Sequence, residues 1–134
     1  MATRTTAVRG RVTFLQIAIA LQTVSLFFQA VTAGMLLSSS HGELLHDAGS
    51  RVMYGSSMVY VLAAILAWRP GGGAPRPIVY ASVFLVLASV QVVLGIAHMP
   101  SLHVPLGVLM FGLSVLALGQ VLTPRLSERH GPRS

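Results

Sequence analysis

Two pairs of histidines recur at one interval along the chain, and they are the residues best suited to chemistry. His41 and His98 are 57 residues apart, and His46 and His103 are separated by the same number. A neutral imidazole is a good ligand for iron, and two imidazoles on facing helices can fill both axial positions of a haem. His46 and His103 are therefore candidate haem-iron ligands, and His41 and His98 form a candidate secondary metal site.

An internal duplication carries these histidines. The same offset pairs further identical residues: Leu45 with Leu102, Met53 with Met110, Gly55 with Gly112 and Ser57 with Ser114. The methionine and the serine follow the second histidine of each copy by seven and eleven positions, so on an α-helix they lie on its face. This face predicts a slot for a flat apolar cofactor, with the plain packing of a core as the alternative.

The composition is that of a membrane protein. Of the 134 residues, 54% are hydrophobic and only 9% are charged, whereas a soluble domain carries about a quarter charged residues. The net charge of +6 would favour nucleic acid as the partner of a soluble protein. Here the arginines, apart from Arg51, are confined to the ends and one loop, so orientation in a membrane explains them better and no nucleic-acid partner is expected. Because the chain has no cysteine, covalent haem attachment is excluded and the expected cofactor is haem b.

Four apolar stretches are long enough to cross a bilayer core of about 30 Å. They predict an all-α, integral-membrane four-helix bundle over residues 14–122, built from two parallel helical-hairpin repeats. A segment of residues 1–13 precedes the bundle, and a basic tail of residues 123–134 follows it. The predicted helices span about 14–37, 44–68, 78–97 and 102–122.

The distribution of arginine predicts the topology. Eight of the nine arginines lie in the N-terminal segment, the second loop or the tail, which four spans place on one side of the membrane. Only Arg51 lies on the other side. By the positive-inside rule, both termini are cytoplasmic in a multi-pass protein of the cell (plasma) membrane. The four repeated histidines then lie at the outer face, with His46 and His103 at the same depth.

Charged residues near the histidines extend the candidate site. Arg51 is positioned to meet the propionates of a bound haem, and Glu43, three residues before the first candidate ligand, is a candidate acid or base. The upstream histidine pair has three alternative interpretations: loop residues at the surface, contacts to the propionates, or ligands of a zinc or copper site with Glu43 and Asp47.

At these residues the chain resembles one four-helix half of haem A synthase, a membrane protein made of two fused four-helix bundles. Glu43-Leu44-Leu45-His46 is similar to the Glu-x-x-His at the outer end of the family's second helix. Gln91-Val92-Val93-Leu94-Gly95-Ile96, followed by His103, is similar to its Gln-x-x-Leu-Gly-Ile run and later histidine. The resemblance implies axial ligation of haem by His46 and His103, with Glu43 in the place of the catalytic glutamate. The chain also resembles small four-helix membrane proteins with a histidine at the outer ends of helices two and four.

The expected function is binding of haem b by two histidines, for electron transfer or haem handling. A six-coordinate haem suits electron transfer better than oxygen chemistry, because both axial positions are filled. The alternatives are a non-catalytic membrane subunit or scaffold without a cofactor, and a dimeric haem-modifying enzyme resembling haem A synthase. A non-enzymatic role is favoured, because no nucleophile with its base and no phosphate-binding loop is present. The lipid bilayer is the expected partner, together with a second copy of the chain or another membrane subunit.

Overall fold

The structure is a computed structural model that describes residues 13–70 and 72–123. Within them it contains four α-helices: α1 (Phe14–Met35), α2 (His41–Trp68), α3 (Arg76–Ile96) and α4 (Pro100–Leu122). The predicted all-α, four-helix class is confirmed. The predicted N-terminal segment and basic tail lie outside the described residues, except for Thr13 and Thr123.

Local sequence sets the ends of the helices. α1 starts behind a capping box, in which Thr13 and Gln16 each accept a hydrogen bond from the backbone N–H of the other. α2 begins at His41 instead of the predicted residue 44, and its first turn contains Glu43, a carboxylate that the positive end of the helix dipole favours. α4 begins at Pro100 instead of residue 102, because proline fits the first position of a helix, where no N–H is needed. α1 and α3 end one or two residues earlier than predicted.

The four helices form a ring in chain order. α1 packs on α2, α2 on α3, α3 on α4, and α4 on α1. Among the described residues, the diagonal pairs α1/α3 and α2/α4 make no close backbone approach and face each other across the bundle axis. Consecutive helices run in opposite directions, so diagonal partners are parallel. The helices that carry His46 and His103 are therefore opposite one another.

A tight connection fixes the start of α2 against the end of α1. Gly42 is buried against the backbone of Met35, and a Cβ on this glycine would lie 2.6 Å from the Met35 carbonyl carbon. Only glycine, which lacks a Cβ, permits such an approach. The close contact holds the first turns of α2, including His46, beside α1.

The outer surface of the bundle is apolar along all four helices, each of which is long and apolar enough to cross a membrane. Only a third of the most apolar stretch of α1 or α2 is buried inside the chain, and this share falls to 11% in α4. Val24, Val86 and Leu116 are 64%, 61% and 63% exposed. Soluble proteins do not expose apolar surface on this scale, so these faces contact lipid. The protein is a multi-pass membrane protein.

The serines of the repeat are hydrogen-bonded inside the bundle. The Ser57 hydroxyl donates to the side-chain oxygen of Gln22 at 3.1 Å, and the hydroxyl oxygens of Ser114 and Thr23 are 2.6 Å apart. All four side chains are buried. Because the bilayer core offers no water, such groups must find partners within the protein. Both repeated serines are thereby tied to adjacent positions of α1.

Candidate functional site

His46 and His103 meet inside one end of the bundle, where the α1–α2 and α3–α4 connections lie. We call this the histidine end. Each residue lies near the start of its helix, and both side chains are partly buried. The ring centroids are 6.0 Å apart, and the ring planes are inclined at 68°. The structure thus brings together the two histidines that the sequence predicts as an axial pair.

The surroundings of His103 define its tautomer. Its Nδ1 lies 3.1 Å from the backbone oxygen of Gln91 on α3. A carbonyl oxygen can only accept, so Nδ1 carries the hydrogen and Nε2 of the neutral ring has a free lone pair. Gly95 leaves room for the ring, because a Cβ there would lie 3.6 Å from the His103 Cε1. An Nδ1–H bonded to a backbone carbonyl is the usual arrangement of a histidine that binds metal through Nε2.

Helix α1 holds His46 at two points. The Nδ1 of the ring lies 3.0 Å from the hydroxyl oxygen of Thr32, and the backbone oxygen of His46 accepts a hydrogen bond from Gln29 Nε2 at 3.1 Å. The Thr32 hydroxyl oxygen also lies 3.1 Å from the backbone oxygen of Gln29. Whether Thr32 or His46 Nδ1 donates the hydrogen bond between them depends on the tautomer of the ring. Thr32 is 0% exposed, so the contact is shielded from solvent.

The distance between the two ring centres equals that of imidazoles bound on opposite sides of one metal ion. An imidazole nitrogen binds a transition metal at about 2 Å, and the ring centre lies about 1 Å behind that nitrogen, so opposed ligands have centroids about 6 Å apart. The observed separation is 6.0 Å. A structural zinc site needs four ligands, and among the described residues no three His, Cys, Asp or Glu side chains converge to hold a metal ion. Two histidines instead suit a macrocycle that supplies the equatorial ligands itself.

A cavity of about 790 Å³ opens beside His46, between α2 and α3. Its volume lies within the range of pockets that enclose small molecules and cofactors, about 300–1,000 Å³. His46 lines the cavity directly, whereas His103 does not; Gly95, which lies beside the His103 ring, separates that ring from the cavity. Its lining combines apolar and charged groups: Leu36, Glu43, His46, Asp47, Ser50, Arg51, Tyr54, Val92, Gly95, Ile96 and His98.

Two predicted site residues, Glu43 and Arg51, line this cavity. The side chain of Glu43 is exposed. Arg51 donates to the carboxylate of Asp47 at 3.0 Å, in a pair whose side chains are 79% and 59% exposed. Such an exposed pair stabilises a protein by less than about 1 kcal/mol. Arg51 can therefore exchange this carboxylate for another anion at the cavity.

The repeated methionines and serines lie in the core, on the bundle axis below the histidines. Met53 is 4% exposed, Ser114 1%, and Ser57 and Met110 0%. They share the inward face, as the helical period predicts, but none of them lines the cavity. The slot predicted on this face is closed by packing. The open volume lies instead to one side, between α2 and α3, where Gly95 adds no side chain.

His41 and His98 occupy different local structures, although the repeat pairs them. His41 is the first residue of α2, whereas His98 lies in the connection before α4. His98 has a φ of 52°, and hydrogen bonds from its N–H to the Gly95 oxygen and from the Met99 N–H to the Leu94 oxygen close a Schellman motif. Both histidine side chains are exposed, and only that of His98 lines the cavity.

Sequence patterns do not single out Thr32 as a partner of His46. Their depth along the bundle could have indicated the contact, because two residues at similar distances from the turn of an antiparallel helical hairpin lie near each other. The sequence cannot indicate the hydrogen bond of His103, because its acceptor is a backbone carbonyl that any residue at position 91 would supply.

No family model, no curated protein and no solved structure matches the chain. The chemistry of the site is therefore inferred from its own residues.

Proposed function

We propose that this protein binds haem b through His46 and His103 and serves electron transfer or haem handling. The observation that carries the proposal is the apposition of the two rings at 6.0 Å on diagonally opposite helices, with both Nδ1 atoms engaged. Two neutral imidazoles with free Nε2 atoms are the axial ligand set of a six-coordinate haem. Sites of this kind are built in bundle cores from side chains on facing helices.

The cavity beside His46 supplies the remaining requirements of a haem site. Val92 and Ile96 on α3 give it an apolar wall, while Arg51 and His98 are positioned to pair with propionate carboxylates. When bound, haem would supply a one-electron couple at its iron. The chain would supply two ligands, apolar surroundings and a charged rim. Because both axial positions would be filled, electron transfer is favoured over oxygen chemistry.

An absorption spectrum of the detergent-purified protein tests this proposal. We expect a sharp α band and a red-shifted Soret band on reduction with dithionite, and the loss of both in His46→Ala and in His103→Ala. His41→Ala is the matched control, because His41 is exposed at the start of α2 and does not line the cavity. A parent protein that stays colourless after haem supplementation would refute the proposal.

A membrane subunit without a cofactor is the second candidate, and the closed core below the histidines favours it. Met110 and Ser57 are fully buried, so the repeated face is accounted for by packing. In this case the histidines are packing or interface residues. The parent, His46→Ala and His103→Ala would then all lack a chromophore, and the two variants would lose stability or association with a partner subunit.

We infer from the arginine distribution that both termini are cytoplasmic in the plasma membrane. Because the chain has no cysteine, single-cysteine variants report orientation directly. Ser39→Cys lies on the α1–α2 connection and Ala74→Cys on the α2–α3 connection, at opposite ends of the bundle. A membrane-impermeant maleimide added to intact cells should label Ser39→Cys, and should label Ala74→Cys only after permeabilisation. The reverse pattern would overturn the orientation.

A further inference from the structure

We infer that Thr32 is a positioning residue of the histidine site, because its hydroxyl selects which nitrogen of His46 is free to bind iron. The inference rests on the proposed function. It starts from a difference between the two rings: His103 Nδ1 faces a backbone carbonyl, whereas His46 Nδ1 faces a side-chain hydroxyl. A carbonyl can only accept, but a hydroxyl can donate or accept. His103 is thus restricted to one neutral tautomer, whereas the tautomer of His46 depends on the orientation of the Thr32 O–H.

The other contacts of Thr32 decide that orientation. Its oxygen lies 3.1 Å from the backbone oxygen of Gln29 and 3.3 Å from the Gln29 side-chain oxygen, so two acceptors attract the hydroxyl hydrogen. The lone pairs of Thr32 are then left for the Nδ1–H of His46. Because Thr32 is fully buried, water does not compete, and the surrounding low dielectric strengthens the hydrogen bonds. His46 is thereby held with Nε2 bare, as metal binding requires.

Gln29 completes the arrangement from the same side. Its Nε2 donates to the backbone oxygen of His46 at 3.1 Å, so α1 fixes both the ring and the backbone of this residue. Thr32 and Gln29 are one turn apart, and together they place the ligand relative to α1. Removal of the hydroxyl should therefore alter the ring of His46 without moving that of His103, which is held by α3.

The second copy of the repeat provides a matched control. The offset of 57 residues pairs Thr32 with Ser89. The hydroxyl of Ser89 donates to the backbone oxygen of Leu85 at 2.9 Å and lies 3.3 Å from the hydroxyl of Tyr54. It makes no hydrogen bond to either ring in the described part of the chain. Ser89→Ala thus removes a partly buried hydroxyl from α3 that bonds to Tyr54 at the cavity but to neither histidine ring.

The test compares Thr32→Val, Thr32→Ser and Ser89→Ala with the parent. In the cofactor-free protein, ¹⁵N NMR of labelled histidine rings should show His46 as the Nδ1–H tautomer in the parent, in Thr32→Ser and in Ser89→Ala. In Thr32→Val the His46 signals should move toward the other tautomer, while those of His103 stay in place. Titration with haemin should show a loss of affinity of about 10- to 100-fold in Thr32→Val, the usual cost of removing a group that orients a ligand. Thr32→Ser should restore most of it.

Two results would overturn the inference. The first is a parent protein in which His46 carries its hydrogen on Nε2, which needs no variant to detect. The second is a Thr32→Val protein whose ring signals and haemin affinity equal those of Ser89→Ala. If Thr32→Val does not fold, Thr32→Ala takes its place, and parent-like values there count in the same way. A parent that binds no haemin, but whose His46 signals still depend on Thr32, would refute the proposed function and leave the orientation of His46 by Thr32 intact.

Discussion

The effect of a substitution at Gly95 on haemin affinity should depend on the size of the new side chain. A Cβ at this position would lie 3.6 Å from Cε1 and 3.8 Å from Nδ1 of His103, which is ordinary van der Waals contact. Gly95→Ala should therefore leave the ring in place. Alanine is also the better helix former, by about 0.5–1 kcal/mol in a helix interior. We expect this variant to bind haemin as the parent does and to unfold at a slightly higher temperature.

Gly95→Leu, by contrast, should weaken haemin binding. Because a Cβ here faces the His103 ring, the carbons beyond it extend toward that ring or into the cavity that Gly95 lines. A displaced ring loses the hydrogen bond from its Nδ1 to the Gln91 oxygen, and loss of such a supporting bond costs about 10- to 100-fold in affinity. This corresponds to about 1.4–2.8 kcal/mol, since each tenfold change is about 1.4 kcal/mol. The helix itself does not lose a favourable residue, so thermal stability should change less than affinity.

Two measurements separate these effects. Titration with haemin, followed by the Soret band, reports the site, and thermal unfolding followed by circular dichroism reports the bundle. Gly55→Ala is the control for helix propensity, because a Cβ there would meet nothing within 4 Å. The reasoning is refuted if Gly95→Leu binds haemin with the affinity of the parent, or if Gly95→Ala loses as much affinity as Gly95→Leu.

Three further predictions concern the packing and the rim of the cavity. Gly42→Ala should destabilise the bundle by about 1–3 kcal/mol, because the new methyl group collides with backbone. Thermal unfolding of this variant is compared with that of Gly55→Ala. Equal unfolding midpoints would contradict the close approach of Gly42 to the backbone of Met35. Thr23→Val and Ser114→Ala should show a coupling free energy of about 0.6 kcal/mol in a double-mutant cycle, the average for hydrogen bonds between membrane helices, whereas strictly additive effects would argue against the bond. Arg51→Gln should weaken haemin binding by less than about tenfold, because an exposed ion pair contributes less than about 1 kcal/mol. That loss of affinity should be largest at low salt, where screening is weakest. A loss that does not depend on salt would show that Arg51 does not act through its charge.

The fold could be predicted from the sequence because a bilayer permits few structures. A chain with four long apolar stretches and short connections must satisfy its backbone within helices or a closed barrel. The start of α2 was the least accurate bound, at residue 44 instead of His41. Hydropathy marks the apolar part of a helix, and the first turn of α2 is polar, so the pattern could not show that the helix extends into it.

The site could be predicted only in part, for a similar reason. The repeat and the helical period indicate that His46 and His103 lie on inward faces at one depth, and the structure brings their rings together. The position of the open volume depends on how α3 packs beside α2, which periodicity along one helix does not determine. The role of Thr32 depends likewise on the rotation of α1. The sequence thus predicts which residues share one face of a helix, but not which residues of neighbouring helices contact each other.

The divergence between the two copies bears on which proposed function is correct. The residues that face each other across the α2–α4 diagonal are repeated, but the groups that support them from α1 and α3 are not. Thr32 holds the first histidine, whereas a backbone oxygen of Gln91 holds the second, and the offset pairs Gln91 with Gly34.

The offset of 57 residues pairs α1 with α3 and α2 with α4, the helices that face each other across the bundle axis in the described chain. Different supports on α1 and α3 deliver the same pair of imidazoles to the same place, with their centroids 6.0 Å apart. The two copies thus share the pair of imidazoles and not the groups that support it, and this pair is what the proposed haem site requires.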